Sequence, residues 1–156
     1  MMTRLIPATL ALFAAMAPLS LAAAAEGARL SADDFLAKVN KTAESAGKAQ
    51  APVACAGLVA ALRIAAPDGS NAKDTFRTLE EEMVFYAMMT RREAAGEEQQ
   101  AAMDFTVPLV QKVSAVYLER FQQNKEADGK LLDSAVRTNF GFCEKMRDEM
   151  KAALEQ

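Results

Sequence analysis

The side chains in this chain that could carry chemistry are few, and most familiar constellations are missing. There is no histidine among its 156 residues. That closes Ser-His-Asp and Cys-His catalysis, histidine-bearing zinc sites, ordinary haem ligation and the Glu-x-x-His di-iron site of helical bundles. Ser45-Ala46-Gly47-Lys48 matches the Ser-x-x-Lys acylation motif, in which a lysine one helical turn away takes the serine proton. No Lys-Thr-Gly or Ser-Asp-Asn accompanies it, so it reads as a chance match. Glu80-Glu81-Glu82 is the obvious carboxylate cluster, and paired carboxylates are what glycoside hydrolysis employs. Neighbouring helical residues point about 100° apart, so these three cannot converge on one bond and read as a solvated helix shoulder. No Asp-x-Asp-x-Asp loop offers a calcium site.

Thioethers are the option left open. Beyond residue 25 the methionines are Met83, Met88, Met89, Met103, Met146 and Met150. Met146-x-x-x-Met150 puts two sulfurs on one helix face, an arrangement suited to Cu(I). Both share a stripe with Cys143, where methionine serves as an adaptable core filler. The filler reading is preferred, and neither a metal nor a cofactor is expected.

Cys55 and Cys143 are the only cysteines, and their state depends on where the chain works. Arg4, the nearly unbroken apolar run Leu5–Leu21 and then Ala23-Ala24-Ala25 have the form of an export signal cut before Glu26. As an uncleaved anchor the run would be at the lower limit for spanning a bilayer, and the alanines favour cleavage. The domain organisation expected is therefore residues 1–25 as a cleaved signal peptide and 26–156 as a single helical domain. Removing 25 of 156 residues leaves 131, enough for a proper core. Export puts both cysteines in an oxidising compartment, where an even pair reads as one disulfide. With Arg4 gone, 17 basic residues face 21 acidic ones, a net charge of −4. That weighs against nucleic acid or anionic lipid as the main partner.

The elements that must position these residues read as helical throughout, because no run of β-branched residues alternates with polar ones. Ser31 with Asp34 starts a first helix carrying Phe35, Leu36, Val39 and Ala43, and Gly47 stops it. Pro52 opens a second, with a stripe of Cys55, Leu58, Val59 and Leu62, and Pro67-Asp68-Gly69-Ser70 is a turn. Asn71 with Asp74 caps a third, running to about Ala95, with Arg91 and Arg92 in its last turns and Gly96 as its end. It holds Met83–Met89, seven apolar or aromatic residues in a row, around which the rest is expected to be organised. A fourth helix from about Glu97 to Asn124 carries Leu109, Val110, Val113, Val116, Tyr117 and Phe121. Pro108 either kinks it or divides it in two, and Glu97-Glu98 satisfies its start. After Asp128-Gly129, a last helix from about Lys130 to Leu154 places Leu132, Val136, Asn139, Cys143, Met146 and Met150 on one seam. Asn139 reads as a hydrogen-bonded core or boundary residue, and Gly141 is the candidate for a close helix crossing. The fold expected is all-α: an up-down four-helix bundle with an additional N-terminal helix, and a Cys55–Cys143 disulfide between the first and last bundle helices.

Phe76, Leu79, Met83 and Tyr86 fall on one stripe of the third helix, whereas Phe85 and Met88 point to nearly the opposite side. A helix apolar on both sides is either covered on both or shows a sticky face. In the covered case the helix of Phe35 lies over Phe85. The reading that follows is a non-catalytic exported helical protein of the bacterial periplasm. It would hold an unknown protein partner or an apolar ligand, with Phe85 and Met88 as the candidate face. No nucleic acid and no stable membrane insertion after signal cleavage are expected. The alternative is a periplasmic Cu(I) carrier built on methionine, or an enzyme whose site no motif reveals.

Overall fold

The computed structural model describes residues 29–155, and the expected export signal, Met1–Ala25, lies outside them. Within the described residues the elements are α1 (Ala32–Ala43), α2 (Gln50–Ala65), α3 (Asn71–Ala95), α4 (Gln99–Asp128) and α5 (Ser134–Leu154). A 3-10 segment, Glu44–Ala49, joins α1 to α2, and no strand occurs among them.

Local chemistry sets most of these boundaries. Ser31 Oγ accepts the Asp34 N–H at 3.1 Å and donates to its carboxylate at 2.7 Å, a reciprocal cap on α1. Gly47 has φ 58° and ψ −122° and breaks the chain between α1 and α2. Pro52 lies in the first turn of α2, where no intrahelical partner awaits its missing N–H. Ser70, one residue before the expected Asn71, caps α3, because its hydroxyl is the one that reaches the Lys73 N–H, at 3.2 Å. Gly96 and Gly129 end α3 and α4 in the left-handed region, with φ 64° and 72°. Pro108 sits exposed inside α4, and the helix continues through it without a restart. Asp133 caps α5 by accepting the Val136 N–H at 2.9 Å. That helix therefore starts at Ser134 instead of Lys130. The intervening residues are held off helix in part by Asn124, whose side chain donates to the Leu131 carbonyl at 3.2 Å.

The centre of the domain is α2, where every residue from Pro52 to Leu62 is buried. A helix that is apolar all round must be covered all round. It packs against α1, α3, α4 and α5, with α3 and α4 taking most of its surface. This corrects the expectation that Met83–Met89 organises the fold: in α3 Met83, Tyr86 and Ala87 are buried, but Phe85 is exposed. The physical reason is size. Ala54, Ala56, Gly57, Ala60 and Ala61 let neighbouring helices approach α2 closely from several directions. At Gly57 the approach is tightest, since a Cβ there would meet Val113 Cγ1 of α4 at 2.4 Å. Gly141, expected to mark a close crossing, faces open space.

Cys55 in α2 and Cys143 in α5 stand with their sulfurs 2.01 Å and their Cα atoms 5.4 Å apart, a disulfide joining the two helices. Elsewhere the core closes through aromatic contacts. Phe35 of α1 meets Tyr117 of α4 edge-on at 5.4 Å, and Phe76 of α3 meets Phe140 of α5 edge-on at 6.3 Å. An 18-residue window within Ala32–Ala65 is apolar enough to cross a membrane by composition, yet 67% of it is buried inside the domain. Burial against the other helices accounts for its apolarity.

Candidate functional site

Phe85, one of the two residues expected to form a contact face, is 48% exposed, and Met88 is half-buried. The helix of Phe35 does not cover it. Phe35 is buried against Tyr117, with the Arg120 guanidinium 5.0 Å above its ring. What lies beside this face is a groove that sequence reasoning missed.

The groove is a cavity of about 330 Å³ between the C-terminal half of α2 and the facing sides of α3 and α4. That lies at the small end of the range for small-molecule sites. From α2 come Ala60, Arg63 and Ile64, and from α3 Glu80 and Val84. From α4 come Val107, Val110, Gln111, Ser114, Ala115 and Leu118. The helices α3 and α4 run side by side from their shared turn, where Arg91 holds Glu97 at 2.6 Å and stacks 3.5 Å above the Phe105 ring. Two of the lining positions are alanine, so their side chains leave the space between the three helices unfilled. Ile64, 51% exposed, and Val107, 37% exposed, stand at its edge as uncovered apolar groups. Val84 precedes Phe85 in the chain and lies one helical turn before Met88, so the groove and the Phe85/Met88 face adjoin along α3.

At the mouth Arg63 pairs with Glu80 through its Nε, and its Nη2 lies 3.4 Å from the second carboxylate oxygen. The hydrogen bond that Arg63 donates to the Glu80 carboxylate raises the Arg63 pKa above its ordinary value. Among the described residues these are the only ionisable ones lining the groove, and together they are neutral. The expected solvated shoulder is thus only partly one: Glu81 is exposed, whereas Glu80 is engaged across helices. Beneath the apolar lining, Ser114 is 4% exposed and its Oγ is buried without a hydrogen-bond partner among the described residues. Thr106 Oγ1, farther up α4, is in the same condition.

A second polar cluster is fully partnered and therefore reads as a structural tie. Arg120, its side chain 5% exposed, donates from Nε to Asp133 at 2.7 Å and from Nη1 to the Leu30 carbonyl at 2.5 Å. Asn124, which holds Leu131, also accepts from Arg29 at 3.5 Å. Burial pushes the Asp133 carboxyl up, but the Val136 N–H and Arg120 outweigh it and hold the pKa below its ordinary value. The cluster ties the entry of α1 to the α4–α5 connection. Its sequence signal is polar Arg120 and Asn124 set three and seven residues beyond Tyr117, on an otherwise apolar stripe.

The remaining candidates are dispersed. Ser45 and Lys48 are exposed on the 3-10 segment. Met146 and Met150 are half-buried against the core. Asn139 donates to the Tyr117 hydroxyl, as a boundary residue would, and burial pushes that hydroxyl's pKa up. Among the described residues no cluster of three or more His, Cys, Asp or Glu is placed to hold a metal.

Comparison with protein-family models, with curated proteins and with solved structures finds no match to this chain. The class that its own fold and chemistry define is an all-helical domain with a cysteine pair at bonding distance and an apolar groove on its flank.

Proposed function

We propose that this chain is a non-catalytic binding protein of the bacterial periplasm, exported behind Met1–Ala25, that holds an apolar ligand in the groove between α2, α3 and α4. The observation that carries the reading is the groove itself: about 330 Å³, lined mostly by apolar side chains and open at Ile64 and Val107. Export is supported by the form of the N-terminal segment and by a buried Cys55–Cys143 pair at bonding distance, since such pairs persist in oxidising compartments.

The reading takes α2–α5 as an up-down succession with α1 laid across α2 and α4. Its support is the short connections, residues 66–70, 96–98 and 129–133, because short links favour antiparallel neighbours. The contact of α3 with α4 and the tie between α2 and α5 fit the same order, whereas the extensive packing of α2 on α4, helices diagonal in such a succession, departs from a square bundle.

N-phenyl-1-naphthylamine, whose fluorescence rises in apolar surroundings, tests the groove. Ala115 is exposed and lines it, so Ala115→Trp fills the space without entering the core. The expected result is binding to the parent and loss of binding to the variant, with both unfolding at the same urea concentration. Undiminished binding to the variant would place the site elsewhere.

A partner protein seated on Phe85 is the second reading, favoured by a phenylalanine that is 48% exposed.

A further inference from the structure

We infer that the groove selects a neutral amphipath: a hydrocarbon chain bearing one uncharged hydrogen-bonding head, an alcohol or an ester, that meets the Ser114 hydroxyl. This rests on the groove being the binding site and goes on to name the ligand's chemistry.

Ser114 lines the groove, is 4% exposed, and its Oγ finds no partner among the described residues. A buried hydroxyl without a hydrogen bond costs stability, and most buried polar groups in folded proteins are paired. Alanine at this helical position would remove that cost and has the better helix propensity. A partner from outside the chain resolves the mismatch. Serine has one short side-chain torsion, and a turn between staggered positions can carry Oγ from beneath the floor toward the cavity.

Arg63 and Glu80 face each other at the mouth and cancel, and no other lining side chain among the described residues ionises. An anionic head would find its one available cation already engaged and a carboxylate beside it. A cationic head would meet Glu80 already held by Arg63. A neutral head avoids both conflicts and needs only the hydrogen bond at Ser114. Val84, Val110 and Leu118 then surround the hydrocarbon, and Ile64 and Val107 extend the apolar path to the rim.

The experiment is displacement of N-phenyl-1-naphthylamine by 1-octanol and by octanoate at pH 7, on the full mature chain and on Ser114→Ala. The parent should release the dye to octanol well before octanoate. In Ser114→Ala the octanol affinity should fall about tenfold, the effect of one hydrogen bond, with octanoate and the dye unchanged and the variant unfolding at higher urea. A variant that gains stability while the ratio of octanol to octanoate affinity stays the same would overturn the inference and leave the groove standing. So would octanoate displacing the dye from the parent as readily as octanol does. If the parent binds no dye at all, the groove reading fails and the inference fails with it.

Discussion

A Cβ added at Gly57 would lie 2.4 Å from Val113 Cγ1 and 3.1 Å from the Ser114 backbone nitrogen, so one methyl group has to push α4 away from α2. Gly57→Ala should therefore cost roughly 1–3 kcal/mol, as overpacking does, and lower the urea midpoint. Gly141→Ala should do the reverse. That glycine sits within α5 with nothing near its missing Cβ, so alanine should add about 1 kcal/mol through helix propensity alone. The pair separates packing from propensity, and equal shifts in the two variants would contradict the close crossing. A third residue-scale effect concerns pH. Because the Asp133 pKa is held below its ordinary value by the Val136 N–H and Arg120, against burial, its ionised form stabilises the fold. That contribution is complete above the ordinary carboxylate range, about pH 4. It is lost as pH falls through the lowered native value. Asp133→Asn should thus be less stable than the parent at neutral pH, with the two urea midpoints converging toward pH 2. A gap that stays constant from pH 7 to pH 2 would show that the charge contributes nothing.

At the scale of elements, the disulfide between α2 and α5 closes a loop of sequence separation 88. Chain-entropy arithmetic for such a loop gives about 4–5 kcal/mol as an upper figure. The Cys55→Ala/Cys143→Ala double variant should lose about 2–5 kcal/mol, read as a drop in urea midpoint. Thiol titration of unreduced parent protein should find no free sulfhydryl, and two would remove both the tie and a support for export. The helices themselves are readable from sequence because their signals are local: the Ser31 cap, the Gly96 and Gly129 ends, the spacing that brings Cys143 inward. The central position of α2 is not: Cys55, Leu58, Val59 and Leu62 mark one stripe, but the alanines and glycine between them are apolar too, and a stripe does not tell that every side is covered. The same limit hides the groove. Local spacing carries no information on partners such as Arg63–Glu80 or Arg120–Asp133, and an empty volume arises from what Ala60 and Ala115 leave unfilled. Phe85 and Met88 were legible as an unusual face, but not as neighbours of that volume.

For the whole molecule, the question is which part of the surface meets something else. Among the described residues four large apolar side chains stand about half exposed: Ile64 at 51%, Phe85 at 48%, Phe142 at 52% and Leu154, at the end of α5, at 58%. Ile64 belongs to the groove, whereas Phe85 lies beyond it on α3 and, among the described aromatic rings, borders only Tyr86, at 5.9 Å. An exposed side chain outside the core can change polarity with little effect on folding, usually within about 0.5 kcal/mol. Phe85→Asp should therefore leave the urea midpoint and dye binding in the groove nearly unchanged. If a partner protein docks on Phe85, the same variant should abolish a cross-linked species that the parent forms in periplasmic extract. Ala115→Trp should leave that species intact. If the face and the groove are one continuous site, both variants should remove it together. Collapse of folding in Phe85→Asp would place that ring inside the core and withdraw the second reading altogether.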